Sequence, residues 1–262
     1  MQALRTAATG MAAQQLNVEV ISNNIANMNT IGYKKQRAEF QDLLYQTVEQ
    51  AGAQSSDTGT IVPTGIQIGA GVKAGSVYRI STQGALTSTG NQFDLAINGR
   101  GFFQVLTPSG DTAYTRAGNF SVNDQGQLVT QDGFLIQPAI SIPQDATNVT
   151  VSQSGQVQVT QPGNPTPSVV GQLELASFTN EGGLSAQGGN LYLQTGASGP
   201  PVTGTPGVTG FGTLMQGYTE ASNVDPVTEI TSLIVAQRAY EMNSKVITTA
   251  DNMLQTANQV KQ

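Results

Sequence analysis

The chain of 262 residues is poor in charge, with 11 % Asp, Glu, Lys and Arg, and it contains no His, Cys or Trp. Without imidazole or thiol groups it cannot build the usual zinc sites or a His-activated Ser or Cys nucleophile. Its formal charge is −6, and residues 81–216 carry two arginines against seven acidic residues. This composition offers no basic surface for nucleic acid, and we expect no catalytic residue, cofactor or metal.

No run of 18 apolar residues occurs, so no membrane-spanning helix is expected. The first residues, MQALRTAATG, lack the basic and apolar regions of a signal peptide. If the protein leaves the cytoplasm, we expect it to be exported without a cleaved signal peptide.

Near the N-terminus, residues at seven-residue intervals predict a helix that packs along a seam. One row is formed by Leu4, Met11, Val18 and Ile25, and a second row by Ala7, Gln14, Ile21 and Met28. We predict a helix over about residues 3–27, ended by Gly32, and a second short helical stretch at residues 40–44. Residues 1–45 are thus interpreted as the N-terminal helix of an inner core domain.

The middle of the chain is typical of β structure. Residues 46–80 are rich in Gly, Ser, Thr and Gln and predict an extended connector. Over residues 81–216 the periodicity changes to two, and Val149–Val151 and Val157–Val159 on either side of Ser154-Gly155 predict a hairpin. We predict a mainly antiparallel β domain over 81–216, whose last part, residues 195–212, is a long loop.

Residues 217–262 predict the C-terminal helix of the inner core domain. Asp225 is a suitable cap, Pro226 suits the first helical position, and no Gly or Pro follows. The seam rows are Leu233, Tyr240, Ile247 and Leu254, with Ala236, Asn243, Ala250 and Ala257. The predicted fold class is α+β, in which paired, coiled-coil-like terminal helices flank an extended β connector and the β domain.

Each seam needs another helix, and we expect the two terminal helices to pair with each other and with copies from neighbouring subunits, because the middle of the chain supplies no further helix for a bundle. We therefore predict that subunits assemble through the seams rather than that the helices form the core of a globular bundle. The predicted polymerisation residues are Leu4, Met11, Val18, Ile21, Ile25, Leu233, Tyr240, Ile247 and Leu254.

Two segments resemble the signatures of the flagellar rod and hook proteins. They are ISNNIANMNTIGYK, residues 21–34, and the stretch from EASNV, residues 220–224, to QRAYEMNSK, residues 237–245. Residues 94–105 and 114–120 also resemble segments shared across this family. The signature residues are Asn23, Asn24, Asn27, Asn29, Gly32, Tyr33, Arg238, Tyr240 and Asn243. Residues 45–56 resemble an insertion characteristic of one rod subfamily, which the flexible hook lacks.

The resemblance implies a structural subunit of a rigid, hollow, helical shaft that transmits torque. The terminal helices would line an export channel, and the β domain would form an outer layer. The implied partners are further copies of the chain, proximal rod and hook proteins, ring proteins of the peptidoglycan and outer membrane, and the flagellar type III export apparatus. The implied location is the flagellar basal body, from the periplasm to the outer membrane.

Three alternatives are kept. The first is a proximal rod or hook subunit, and the second is a cell-envelope enzyme that acts on glycans through carboxylates. The third is a secreted adhesin, for which no aromatic or polar cluster provides a ligand site. Against the enzyme, acidic residues such as Asp124 and Asp132 fall in predicted turns, where carboxylates bond to local backbone.

Overall fold

The computed structural model describes residues 2–50, 52 and 64–260, and the chain divides into two compact units. The terminal unit comprises Met1–Ile25, Gln36–Tyr78 and Asp225–Gln262. The central unit comprises Ala26–Lys35 and Arg79–Val224. The predicted fold class is confirmed, since a helix at each end of the chain flanks antiparallel β structure.

The terminal unit contains the two helices and the first strands. Its elements are α1 (Gln2–Ala26), β1 (Gln36–Asp42), β2 (Tyr45–Glu49), β3 (Ile66–Gly69), β4 (Val72–Arg79) and α2 (Pro226–Val260). Asp225 caps α2, as predicted, because its Oδ1 accepts the Val227 N–H at 3.3 Å and its carboxylate also accepts the Thr228 hydroxyl. Both helices therefore match the sequence prediction.

The strand β1 replaces the predicted short helix at residues 40–44, and that prediction is wrong. Ala38 and Phe40 are half-buried, while Arg37 and Glu39 are exposed, so this segment alternates with the period of a strand. β1 pairs with β4, and β2 pairs antiparallel with β3. The predicted connector and the segment 45–56 lie partly outside the described residues.

The central unit is built from short antiparallel strands. They are β5 (Leu86–Ser88), β6 (Leu95–Asn98), β7 (Phe102–Leu106), β8 (Thr112–Thr115), β9 (Ser121–Val122), β10 (Leu128–Val129), β11 (Leu135–Gln137), β12 (Asn148–Val151), β13 (Gln156–Gln161), β14 (Asn164–Gln172), β15 (Leu175–Ser177), β16 (Ser185–Gly188), β17 (Leu191–Leu193), β18 (Val202–Gly204), β19 (Thr213–Gln216) and β20 (Tyr218–Glu220). A single 3₁₀ turn, Glu181–Gly183, lies between β15 and β16 in the described chain.

The largest sheet has the order β16-β17-β8-β7-β11-β10-β9, with β15 joining β7 to β18. The inner face of β7 carries Phe103 and Val105, which are fully buried against residues of β6, β13 and β15. Burial of these apolar side chains stabilises the unit, at about 25 cal/mol per Å² removed from water. A second cluster packs Phe102, Tyr114 and Phe178 edge to face.

The predicted hairpin is present as β12 and β13. Val149 pairs with Val159 and Val151 with Val157, and Gly155 turns the chain at φ 83°. β14 completes this three-stranded sheet. The segment 195–212 is not a continuous loop, because β18 lies within it and pairs with β15.

Candidate functional site

The N-terminal signature divides between the two units, and each part makes its own contacts. Asn23 and Asn24 lie in α1, whereas residues 26–35 belong to the central unit. The C-terminal signature divides in the same way, with residues 220–224 in the central unit and α2 in the terminal unit. The signature residues therefore form two sites, one in each unit.

In the terminal unit, Asn24 ties three elements together. Its side chain is almost fully buried, and its Nδ2 donates to the Gln36 carbonyl oxygen at 2.8 Å. The Gln36 N–H donates to Asn24 Oδ1 at 2.8 Å, and Asn24 Nδ2 also donates to Glu229 Oε2 at 3.2 Å. One amide thus satisfies both backbone groups at the start of β1 and reaches the first turns of α2.

Two contacts set the register of the helix pair. Asn24 meets Glu229 through the hydrogen bond, and Gly10 faces Asn243, whose Nδ2 lies 2.9 Å from where a Cβ on Gly10 would stand. Between the two contacts, α1 runs back by two heptads, from Asn24 to Gly10, while α2 runs forward by two heptads, from Glu229 to Asn243. The two helices are therefore antiparallel. Gly10 allows close approach at this point, which offsets its cost of roughly 1 kcal/mol in a helix interior.

The row of α2 that faces α1 is made of small and polar residues. It continues the heptad of the two contacts and consists of Glu229, Ala236, Asn243 and Ala250, of which only Asn243 is more than slightly exposed. The predicted residues Leu233 and Ile247 flank it half-buried, and Tyr240 and Leu254 remain 42 % and 41 % exposed. In α1, Ile21 is buried, and the half-buried predicted residues are Leu4, Met11, Val18 and Ile25.

A further apolar row on α2 was missed by the sequence reasoning. Val235, Met242, Val246 and Met253 are all exposed, between 46 % and 63 %. With Ala239 and Thr249 they are spaced alternately by four and three residues, which is the signal that could have revealed a second seam.

An open surface groove of about 340 Å³ also runs between the two helices. It is lined by Gln15, Val18, Glu19, Gln237, Tyr240 and Glu241. Two predicted interface residues, Val18 and Tyr240, therefore lie on one shared surface. The signature residue Arg238 is exposed on α2, and Asn23 is exposed on α1.

In the central unit, three buried charges meet where distant signature segments converge. Lys34 Nζ donates to Glu220 Oε1 at 2.6 Å, and Arg116 Nη1 lies 3.6 Å from Glu220 Oε2. All three side chains are at most 5 % exposed. Lys34 also donates to the Thr82 carbonyl oxygen at 2.9 Å, and the Gly84 N–H donates to Glu220 Oε1 at 2.9 Å. We call Lys34, Arg116 and Glu220 the ion cluster.

Arg116 makes further contacts that fix its guanidinium. Nη1 and Nη2 both donate to the Gly99 carbonyl oxygen, at 2.9 and 2.8 Å, and Cζ lies 5.6 Å from the Phe102 ring centroid. Arg116 Nε and Glu220 Oε2 are the buried side-chain atoms that lack a hydrogen bond in the described part of the chain. Burial lowers the pKa of Lys34, and the Arg116 charge lowers it further, while Glu220 opposes both effects.

The signature residues around the ion cluster hold its loop in place. The Gly32 N–H donates to the Glu220 carbonyl oxygen at 2.8 Å, and the Tyr33 N–H to the Thr30 carbonyl oxygen at 3.3 Å. Thr30 Oγ1 donates to Asn27 Oδ1 at 3.1 Å, and Asn29 is exposed. Gly32 has φ 69°, and a Cβ there would stand 2.8 Å from the Ala117 nitrogen. Only glycine fits this approach without strain.

Asn223 joins the same region from the C-terminal signature. The Lys35 N–H donates to Asn223 Oδ1 at 2.7 Å, and Asn223 Nδ2 donates to the carbonyl oxygens of Ile80 and Thr82, at 2.8 and 3.0 Å. These groups bond to one another rather than to an open cavity, which is the arrangement of a structural centre. Within the described residues no cluster of three acidic side chains could hold a metal ion, and no helix has the length and apolarity needed to cross a membrane.

The chain thus combines an antiparallel pair of terminal helices, which leaves apolar rows exposed, with a β unit whose signature segments meet at buried charges. Three family models match the chain: "Flagella basal body rod protein" over residues 4–34, "Flagellar hook protein FlgE/F/G D1 domain" over 96–159, and "Flagellar basal body rod FlgEFG protein C-terminal" over 215–260. The chain belongs to the family of flagellar basal-body rod proteins.

Relatives match it over nearly their whole length. A flagellar basal-body rod protein FlgG of Caulobacter vibrioides is 69 % identical over 261 residues, covering 100 % of both chains. The FlgG of Agrobacterium fabrum is 54 % identical and covers 97 % of both chains. A FlgF of Caulobacter vibrioides is 37 % identical, covering 88 % of this chain and 85 % of its own. The chain is a structural subunit of the flagellar distal rod and belongs to the basal body.

Proposed function

We propose that the chain polymerises helically into a rigid hollow shaft, which transmits torque and encloses the export channel. The observation that carries this proposal is the exposure of large apolar side chains along α2. The apolar side chains of α2 that are more than 40 % exposed are those of Val227, Ile230, Ile234, Val235, Tyr240, Met242, Val246, Met253 and Leu254. A helix that exposes so many apolar side chains is stabilised when they are buried against further helices.

The predicted seam residues are proposed to make these contacts between copies. Leu4, Met11, Val18 and Ile25 are half-buried, which leaves part of each side chain for a neighbour. Assembly of the helices would then bury area that the single chain leaves in water, at about 25 cal/mol per Å². The terminal helices would line a central channel. Stacking through different faces of the chain gives an open helical polymer when the rotation between neighbouring copies does not close a ring.

The proposed setting extends this shaft through the periplasm to the outer membrane. Its proposed partners are the proximal rod and hook proteins at its ends and the ring proteins of the peptidoglycan and outer membrane around it. Export by the flagellar type III apparatus, without a cleaved signal peptide, is part of the same proposal. The role is proposed to be purely structural, and incubation with peptidoglycan should release no fragments.

We further propose that the segment 46–80 stiffens the shaft. The hairpin of β2 and β3 is almost wholly exposed, and it carries apolar side chains at Tyr45, Val48 and Ile66. A two-stranded hairpin is marginally stable alone in water, so contact with a neighbouring subunit would stabilise it. Such a contact would resist bending between subunits.

The first test is deletion of the gene in its motile host, followed by electron microscopy of purified basal bodies. A truncated shaft without hook or outer ring is expected, because later parts are built on the distal rod. A complete rod that lacks only the hook would contradict the assignment in favour of a hook protein. Intact flagella would contradict it altogether.

A second test addresses polymerisation itself. Leu233→Asp or Ile247→Asp should abolish the shaft while the central unit stays folded, because each places a charge within the predicted seam. Thr248→Asp, at an exposed neighbouring position, is the matched control and should assemble. Circular dichroism of the purified variants would establish folding. Normal shafts from either seam variant would contradict the proposed role of the seam.

A further inference from the structure

The strands of the terminal unit form a ribbon in two parts. β1 and β4 make its base, and β2 and β3 make an exposed hairpin that we call the arm. The two parts meet where the Leu43 N–H donates to the Gly71 carbonyl oxygen at 2.8 Å and the Ala70 N–H donates to the Leu44 carbonyl oxygen at 3.1 Å. Gly71 has φ 119°, a conformation that favours glycine. The arm therefore joins the base at a corner that contains a glycine.

The corner is seated on α1 at Thr9. Thr9 Oγ1 accepts the Val72 N–H at 3.3 Å and donates to the Thr6 carbonyl oxygen at 2.8 Å. A Cβ on Gly71 would collide with Thr9 Oγ1 and stand 3.2 Å from Thr9 Cβ. A residue with a side chain would thus push the corner away from the helix. We call the contact of Gly71 and Val72 with Thr9 the latch.

The arm also touches α1 two turns before the latch. Gln2 Nε2 donates to Gln46 Oε1, and Gln46 pairs with Ile68 inside the arm. The cavity between helix and arm measures only about 50 Å³. It is lined by Gln2, Arg5 and Thr6 from α1 and by Gln46, Ile68 and Gly69 from the arm. The arm therefore lies close along the first turns of α1.

These contacts use a face of α1 beside the one that meets α2. At about 100° per residue, Gln2 and Thr9 lie within about 20° of each other around the helix. Both lie roughly 80–100° from Gly10, which faces Asn243 of α2. The first turns of α1 are thus held by α2 on one side and by the ribbon on the next. A force on the arm reaches α1 through the latch and the Gln2 contact.

We propose that the latch is the point through which the segment 46–80 stiffens the shaft. A neighbouring copy that holds the arm restrains α1 only if the arm cannot pivot at its corner. Thr9 and Gly71 are therefore positioning residues, because their contact fixes the arm against the helix. This inference rests on the proposed polymerisation and on the proposed contact of the arm with a neighbour.

Opening the latch without removing the arm tests the proposal in the motile host. Gly71→Ala forces the corner off Thr9, so electron microscopy of purified basal bodies should show curved rods, as expected for deletion of residues 46–56. Gly75→Ala is the matched control, because it adds the same methyl group on β4, where the nearest atom belongs to the exposed Gln41 side chain at 3.3 Å. Its rods should be straight. Equal curvature in the two variants would overturn the proposal.

A pair of substitutions at Thr9 avoids backbone strain at Gly71. Valine keeps the shape of threonine but cannot accept the Val72 N–H, whereas serine keeps the hydroxyl. Thr9→Val should raise the fraction of curved rods, and Thr9→Ser should match the unaltered strain. Circular dichroism of the purified subunits should show the same helix content in both, because α1 itself is not altered. Straight rods from Thr9→Val would overturn the proposal, and this pair decides if Gly71→Ala does not assemble.

A covalent latch supplies the reverse test. The chain has no cysteine, so Thr9→Cys with Gly71→Cys introduces the only two thiols. Their Cβ positions, 3.2 Å apart, are close to the separation of about 3.5–4.5 Å found in disulfides. Copper(II) phenanthroline accepts the two electrons as the S–S bond forms and two protons leave. Non-reducing electrophoresis should then show the bond within single subunits.

Rods with the covalent latch should be straight when oxidised and curved after dithiothreitol reduces the bond. Rods of equal curvature in both states, or the absence of the bond within single subunits, would overturn the proposal. The deletion of residues 46–56 separates this inference from the function on which it rests. Straight rods after the deletion would overturn the stiffening role itself. Curved rods after the deletion, together with straight rods from the latch variants, would overturn the latch alone.

Discussion

Lys34 and Glu220 form a buried ion pair across 186 residues of sequence, with Nζ and Oε1 2.6 Å apart and both side chains almost completely buried. The pair brings the end of the N-terminal signature onto the start of the C-terminal one. Because Arg116 approaches the same carboxylate, one negative charge faces two positive charges. Removing that carboxylate would leave two buried cations unbalanced.

We therefore expect Glu220→Gln to lower the free energy of unfolding of the central unit by about 3–5 kcal/mol. Urea unfolding followed by tyrosine fluorescence would measure it. The control is Arg100→Ala, which removes a pair with Glu181 whose arginine is 66 % exposed. That change should cost less than about 1 kcal/mol. Equal effects of the two substitutions would contradict a special role for the ion cluster.

The lowered pKa of Lys34 predicts an alkaline dependence of stability. Below its ordinary pKa of 10.5, the unfolded chain keeps a proton on this lysine that the folded chain has begun to lose. The contribution of Lys34 to stability therefore rises with pH through this window. Burial raises the pKa of Tyr114 and Tyr192, which acts in the opposite direction above their ordinary value of 10.0.

Measurements between about pH 8 and 9 isolate the lysine, because tyrosines with an ordinary pKa of about 10 stay mostly protonated there. Over this range the free energy of unfolding of the unsubstituted chain should rise relative to that of Lys34→Met. Urea unfolding at several pH values would give both curves. Curves that stay parallel would show that Lys34 does not titrate differently in the folded chain.

Gly32→Ala should destabilise the central unit by at least about 3 kcal/mol, since it adds a backbone clash to an unfavourable φ. Gly110→Ala is the matched control, because Gly110 also has positive φ, at 89°, but a Cβ there meets nothing within 4 Å. Its cost should be about 1–2 kcal/mol. Thermal unfolding would compare them. If Gly32→Ala were no worse than Gly110→Ala, close packing at Gly32 would not matter.

Deleting residues 46–56 should give a shaft that bends. The deletion removes β2, whose exposed hairpin is proposed to contact a neighbour. Electron microscopy of basal bodies would show curved or flexible rods, and rod curvature in the unaltered strain is the baseline. Straight rods of normal stiffness would count against a stiffening role for this segment.

The sequence predicted those features that local chemistry decides. Asp225 and Pro226 marked the start of α2, and the valines around Ser154-Gly155 marked the hairpin of β12 and β13, because caps and turns depend on neighbouring residues. The strand β1 was mistaken for helix because Phe40, Leu43 and Leu44 also fit helical spacing. Pairing with β4, more than thirty positions along the chain, decided between the two.

The ion cluster could not be predicted, because its members come from three distant segments. Each of Lys34, Arg116 and Glu220 stands inside a segment that resembles the family, but spacing along the chain does not show that they meet. A similar limit applies to the helix pair. The heptad pattern predicted that two helices pack, whereas the close approach at Gly10 depends on which residue of α2 lies opposite.

The register of the helix pair also leaves the last part of α2 without α1 beside it. Gln2, the first residue of α1, falls level with Asp251, so the nine remaining residues of α2 project by about 13 Å. Met253 and Leu254 are exposed on this projection. In the proposed polymer, a copy displaced along the axis would cover it. The two ends of a growing shaft are then chemically different, one bearing bare projections and the other none, so subunit addition has a built-in direction.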